Sequence, residues 1–241
     1  MRPTRWTDPS IANAYATRRD GLDRDICWPR LTDLLAGTRP RRALGRPDST
    51  ILDLGSGPGH YAHELAQRHW TASYAVDISP AAHRYGEKHL HDAWIRRLLP
   101  ARDGSLPLRR CQCTGALAQL LLCHISQPAR VLALLTEAHR VLRPDAPLVI
   151  IEPGQHGIDF ETVRYGIPDR SADSLQPGEP YPIDYALANN TRLHTTAYHH
   201  PPELVAELIE QAGFRVEPSA PEPLHAGDAP VFTLWTAHAR R

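Results

Sequence analysis

The segment Ile51 to His60 reads ILDLGSGPGH, an apolar run with an acid near its end, followed by Gly55, Gly57 and Gly59 ahead of a helical pattern. Glycines at such a turn let the backbone bend sharply and approach a ligand with no Cβ in the way. The helix that follows turns the positive end of its dipole to the same point. This is chemistry suited to holding a nucleotide-like cofactor. A second acid, Asp77, closes the next β-favouring run 20 residues beyond Gly57, the distance at which a carboxylate reaches ribose hydroxyls. A nicotinamide or flavin fingerprint, G-x-G-x-x-G, counted from Gly55 and Gly57, puts its third glycine where His60 stands. An NAD-type oxidoreductase therefore stays open only as an alternative.

Groups able to move a proton or orient a nucleophile are plentiful, since the chain has 14 histidines. In an open α/β sheet, ligands bind beyond the carboxyl ends of the strands. That rule selects His124, Glu152 and His156 after strands in the middle of the chain, and Tyr198, His199 and His200 before the last helical pattern. His124, His156 and His199 are the candidate catalytic groups, by titration range and placement. His83, His89 and His91 fall on a polar helix and are expected in solvent. Cys111, Cys113, Cys123 and His124 lie close in sequence, but C-x-C lacks the spacing of a structural zinc site, so no metal is expected.

The elements that must position these groups alternate. Asp8 to about Leu35 has apolar residues at helical spacing, and the Arg- and Pro-rich stretch 37–49 reads as a linker. TILDLG, the helix His60 to His69 and SYAVDIS then give strand, helix and strand within thirty residues, which implies a parallel pair and an α/β layered sheet. Pro80 to His91 is a second helix with Ser79 as N-cap, WIRRLL a poor third strand and ALAQLLLCHI a fourth that carries Cys123 and His124. A helix over Arg130 to Leu142 leads to APLVIIEP, the strongest strand of the second half. Residues 153–200 hold Gly, Pro, Asn and Asp throughout with little periodicity, and a loop of that length is expected to enclose a substrate. Pro201 to Ala212 is a helix closed by Gly213, and FRVEP and VFTLWTAH are expected as an antiparallel edge hairpin. The whole chain 1–241 is read as one domain: helices and linker in 1–48, a cofactor half in 49–152, the enclosing segment 153–200, and the last helix and strands in 201–241.

Composition narrows the classes. Lys plus Arg and Asp plus Glu number 27 each, so the net charge is zero, which argues against gripping nucleic acid or an anionic membrane by bulk charge. With 41% hydrophobic and 22% charged residues the chain is an ordinary globular one. No stretch approaches a spanning helix and MRPTRWTDPS has no apolar core of a signal peptide, so the expected location is cytoplasmic.

Asp53-Leu54-Gly55-Ser56-Gly57-Pro58-Gly59 resembles the first motif of the class I S-adenosylmethionine-dependent methyltransferases of the small-molecule type, and Val76-Asp77-Ile78-Ser79 resembles their second. Arg102 to Leu108, Glu137 to Pro144 with the strand Leu148 to Ile151, and Tyr198 to Phe214 are similar to later family segments. The resemblance implies a Rossmann-like, doubly wound, mostly parallel seven-stranded sheet with an antiparallel C-terminal edge hairpin. It implies S-adenosyl-L-methionine as cofactor, held by Asp53, Gly55, Ser56, Gly57, Gly59, Asp77 and Ile78, with Asp103 beside the adenine, Leu122 and Cys123 at the end of the fourth strand, and Tyr15 closing over the methionine part. The expected reaction is methyl transfer to O, N or C of a small-molecule acceptor, with no nucleic-acid or membrane partner. CQCTGALAQL stands where the family has an acidic start to the fourth strand, which keeps open a homologue that binds the cofactor without methylating.

Overall fold

Apolar runs shielded on both faces become central parallel strands, and this chain has such runs at Thr50–Leu54, Gly115–Gln119 and Pro147–Pro153. The computed structural model describes residues 4–18, 23–36, 48–101, 104–154, 158–159, 163–165 and 175–241. The chain runs α1 (Pro9–Ala16), α2 (Trp28–Ala36), β1 (Thr50–Leu54), α3 (His60–His69), β2 (Ala72–Val76), α4 (Pro80–His89), β3 (Ile95–Leu98), β4 (Gly115–Gln119), α5 (Pro128–Val141) and β5 (Pro147–Pro153). It continues as β6 (Ile158–Asp159), β7 (Val163–Tyr165), β8 (Pro180–Ala186), β9 (Arg192–Tyr198), α6 (Pro202–Gln211), β10 (Phe214–Val216), β11 (Glu222–Ala226) and β12 (Ala229–Ala239).

The main sheet has the order β10-β12-β5-β4-β1-β2-β3, with β11 also paired to β12. Strands β1 to β5 are parallel. The chain winds outward from β1 through β2 and β3, then returns to β4 on the other side of β1. That reversal opens a crevice at the carboxyl end of β1, where the glycine-rich turn sits. One face of the sheet packs Leu31, Leu35 and Leu65 from α2 and α3. The other packs Val131, Leu135, Val205 and Ile209 from α5 and α6. Helix starts follow local chemistry: Ser79 Oγ accepts from Ala82 N at the start of α4, and Pro80 and Pro128 stand in first turns where no N–H is needed.

Two expectations hold and two change. The Arg-rich third strand does form, as the edge strand β3. The fourth strand stops at Gln119: Leu120 takes φ 51° and Leu122–His124 is a 3-10 turn, because the backbone N–H groups there bond to the Glu152 side chain instead of a neighbouring strand. The segment 153–200 is not an irregular loop. Its described residues form a second, antiparallel sheet β6-β7-β8-β9, in which Tyr181, Ile183 and Tyr185 alternate inward to the first core face. At the C-terminus, β10 and β12 pair antiparallel with β10 at the sheet edge, as expected, and β11, in the connection between them, adds a hairpin to β12. Among the described residues no helix is long and apolar enough to cross a membrane.

The glycine-rich turn is fixed from outside. A Cβ added to Gly86, in the middle of α4, would stand 2.1 Å from Pro58 O, so α4 approaches the turn as closely as a backbone can. Arg97 of β3 joins the contact, its Nη2 donating to Pro58 O at 3.4 Å and to Leu90 O at 3.1 Å. Gly86→Ala is therefore expected to reverse the usual helix preference, which favours Ala by about 1 kcal/mol. Overpacking against backbone should lower stability by about 1–3 kcal/mol. Urea denaturation checks the sign, and a stabilised variant would show that α4 does not set the turn.

Candidate active site

The turn after β1 is built from left-handed glycines: Gly55, Gly57 and Gly59 have φ of 67°, 55° and 88°. Ser56 N donates to Val76 O, and Gly57 N donates to Asp77 Oδ2 at 2.9 Å, tying the turn to the end of β2. Asp77 Oδ1 accepts from Ser79 N at 2.8 Å. Burial pushes the Asp77 carboxyl up, while these N–H bonds pull it down. Each oxygen keeps lone-pair capacity for a further donor, as two ribose hydroxyls require. Ile78 beside it is 55% exposed, an apolar platform next to the carboxylate. Asp53, at the end of β1, is buried, and loss of water followed by the nearby Asp77 charge pushes it up to about 8. A Cβ on Gly57 would meet only the Tyr15 ring, at 3.7 Å, so the turn faces open space under that ring. A cradle that a Cβ would fill, next to two acids and an apolar platform, fits an adenosine carrying an amino-acid tail.

The far wall of this cleft is the end of β4. Gln119 and Leu120 line it together with Asp53, Gly55, Tyr15 and Arg18. Leu122 and Cys123 do not: both side chains are buried, Leu122 in the core under α5. The 3-10 turn sends their backbone N–H groups to Glu152. Oε1 accepts from Leu121 N and Leu122 N at 3.1 and 2.7 Å, and Oε2 from Cys123 N at 2.8 Å. Glu152, a proton-transfer candidate by sequence, is thus the anchor of the turn. Burial pushes it up to about 7, against the pull of the three N–H groups.

Over the cleft lies a chain of rings. Trp6 contacts Tyr15 edge-on at 5.1 Å between centroids and His124 at 4.6 Å, and Tyr15 contacts Tyr185 at 5.1 Å. The Arg18 guanidinium stacks on Tyr15 at 4.2 Å. The N-terminal segment is held there by β9, since Thr196 N donates to Thr4 Oγ1 at 2.8 Å. Sequence reasoning found Tyr15 and His124 but missed Trp6, Arg18, Gln119 and Tyr185. Of these only Tyr185 carried a signal, its alternation with Tyr181 and Ile183. His124 Nδ1 lies 3.4 Å from Thr196 O, a weak bond that places its proton on Nδ1. Nε2 is buried with no hydrogen-bond partner among the described residues. Burial pushes this imidazole down to about 4, with the bond to Thr196 pulling slightly the other way, so it is neutral at pH 7.

His199 and His200 go elsewhere. With Tyr198 they line a second cavity on the opposite side of the Glu152 anchor. Asp103 and His156 lie outside the described residues. A wide groove beside β3, lined by Arg96, Leu106 and Arg109, contains none of the candidate catalytic or cofactor-binding residues.

A family model described as a methyltransferase domain matches residues 52–150, the stretch from β1 to β5 that holds the glycine turn, Asp77 and the Glu152-anchored wall. Residues 52–150 thus form a methyltransferase domain, and the protein is an S-adenosylmethionine-dependent methyltransferase. Its cofactor is S-adenosyl-L-methionine, and the oxidoreductase alternative gives way. This methyltransferase is 29% identical over 203 residues, 80% of the chain and 83% of the relative, to the N-demethylindolmycin N-methyltransferase of Streptomyces griseus. It is 31% identical to the 23S rRNA (guanine(748)-N(1))-methyltransferase of Streptomyces fradiae over 64% of the chain and 50% of that relative. Its fold matches a SAM-dependent methyltransferase from Aquifex aeolicus with a TM-score of 0.61 at 17% identity, over 96% of this chain and 98% of the other.

The buried neutral state of His124 has a signature in the methyltransferase's stability. Unfolded, the imidazole takes a proton near 6.5; folded, only near 4. The native state therefore loses stability as pH falls below about 6.5, by about 2 kcal/mol between pH 7 and pH 5. Asp53 and Glu152, raised by burial, act in the opposite direction, so the test is a difference. Between those pH values the unfolding free energy of His124→Phe should gain about 2 kcal/mol relative to the unsubstituted protein. A pH-independent gap would overturn the neutral assignment.

Proposed function

We propose that the enzyme methylates a nitrogen or oxygen of a small, partly aromatic metabolite, bound between the glycine turn, the β4 wall and the ring cluster. The observation that carries this reading is the set of rings Trp6, Tyr15, Tyr185 and His124 beside Gly57, with the bare Nε2 of His124 among them. The small-molecule N-methyltransferase relative supports it, and the net charge of zero favours a small acceptor over RNA. Asp77 takes the ribose hydroxyls, Ile78 flanks the adenine, and Asp53, Gly55, Ser56, Gly57 and Gly59 shape the methionine end under Tyr15. Leu122 and Cys123 contribute by holding the wall, not by contact. In this reading the cover is β8 and β9 of the segment 153–200, joined by α1.

Bound cofactor supplies an electrophilic methyl group on a sulfonium. The chain's own work is alignment and exclusion of water. His124 Nε2 accepts a hydrogen bond from the acceptor's N–H or O–H, which turns the lone pair toward the methyl group. Methylation at that lone pair would leave the acceptor positively charged and acidic. Its proton then passes to Nε2, which is a weak base before transfer and an adequate one after it.

Mass spectrometry after incubation with S-adenosylmethionine tests the reading, using a panel of aromatic amines, indoles and phenols beside an RNA hairpin. A gain of one methyl group on a small compound is expected; methylation of the RNA alone would sink the proposal. Asp77→Ala should weaken cofactor binding roughly tenfold to a hundredfold in calorimetric titration. His124→Ala should lower turnover by about 10² to 10⁴ with cofactor affinity unchanged. Undiminished turnover per folded molecule would assign His124 to packing.

A further inference from the structure

Two residues lining the second cavity, beyond the Glu152 anchor, each have a buried polar atom with no partner among the described residues. The cavity is lined by Glu152, Tyr181, Tyr198, His200, Val205 and Trp235, which come from β5, β8, β9, the β9–α6 connection, α6 and β12. Trp235 is 2% exposed, yet its indole Nε1 has no hydrogen-bond partner among the described residues. An indole N–H can only donate. His200 Nε2 lies 2.8 Å from Ile125 O; a carbonyl only accepts, so Nε2 carries the ring proton. Nδ1 of the neutral ring keeps its lone pair, and it too is buried without a partner among the described residues. Leaving both unmet is costly, and native structures rarely do so without a ligand or water.

The two orphans are one donor and one acceptor on separate elements. An anion would face the Glu152 carboxylate and the His200 lone pair. A cation would leave the indole N–H unmet, and the Glu152 oxygens are already engaged by the turn. What satisfies both is a neutral planar group with a carbonyl and an N–H side by side. The remaining walls, Pro153, Pro202 and Val205, suit its faces.

We propose that this cavity is a second binding subsite, taking a neutral amide or lactam edge whose carbonyl accepts from Trp235 Nε1 and whose N–H donates to His200 Nδ1. Resting on the small-molecule reading above, we assign that edge to the distal end of the methyl acceptor. Thr196, which holds His124, and His200 are four residues apart at the end of β9, so the handle sits roughly 13 Å along the chain from the methylated atom's side.

The test uses the full chain with its five indoles ¹⁵N-labelled and the Trp235 signal assigned by Trp235→Phe, which keeps an aromatic ring in the core. Acetamide and 2-pyrrolidinone are titrated as probes against acetone and acetate. A saturable shift of the Trp235 signal by the two amides is expected, with acetone and acetate at least about tenfold weaker. His200→Phe keeps a planar ring and removes the acceptor, and should erase most of that preference. Equal response to acetone or acetate, no saturable shift, or a long-lived internal water on the Trp235 N–H that the amides fail to displace would each overturn the proposal. S-adenosylhomocysteine affinity of Trp235→Phe is measured alongside: it stays unchanged if only the subsite is wrong, so a failure here is distinguishable from failure of the methyl-transfer reading.

Discussion

Three consecutive backbone N–H groups, those of Leu121, Leu122 and Cys123, end on the buried carboxylate of Glu152. Where β4 leaves the sheet its N–H groups lose their strand partners in a place water does not reach, and an acceptor must be supplied. The neighbouring strand supplies it from its last inward position. Charge-assisted bonds of this kind are stronger than neutral ones, and they wind the chain into a 3-10 turn instead of letting it run on. The turn sorts the residues around it: Leu120 faces the cofactor cleft, Cys123 the second cavity, and His124 reaches across to β9. Both cavities thus share one wall, held by one carboxylate.

The glycine turn is placed by a different means, close contact between backbones. Pro58 O is pressed against α4 at Gly86, and Arg97 fills the remaining gap with its guanidinium. That gives a purpose to the arginines that weaken the third strand as a sequence pattern. Arg97 costs the edge strand some apolar burial and in return ties β3, α4 and the turn together. The glycines of the turn provide the freedom to bend; its position is set by a helix glycine 31 residues from Gly55 along the chain.

How much of this was legible in the sequence depends on the range of the interaction. The β1 turn, Asp77 and the helix caps rest on neighbours within a few residues, and these were read directly. The fourth strand was read too long because Leu121, Leu122, Cys123 and His124 look apolar enough to continue it, and the competing acceptor, Glu152, lies about thirty residues away. The second sheet was overlooked because prolines and polar residues hide the alternation of Tyr181, Ile183 and Tyr185, although the Asn189-Asn190 turn, with Asn190 at φ 63°, is a hairpin signal. Trp6 was out of reach in principle. Its place against His124 depends on Thr4 meeting β9, a contact between the two ends of a 192-residue separation.

His124 and His200 share a design that bears on what the enzyme can accept. Each is half-buried, each spends one ring nitrogen on a backbone carbonyl, and each has its other nitrogen buried without a partner among the described residues. Burial pushes both imidazoles down, so neither carries charge at neutral pH. A neutral ring tied in this way presents a lone pair, and a lone pair selects for N–H and O–H groups while repelling phosphate and carboxylate oxygens. Histidines near a cofactor with a charged sulfonium would otherwise add like charge to the site. Held neutral, they direct the acceptor's hydrogens without competing with the methyl group for its electrons.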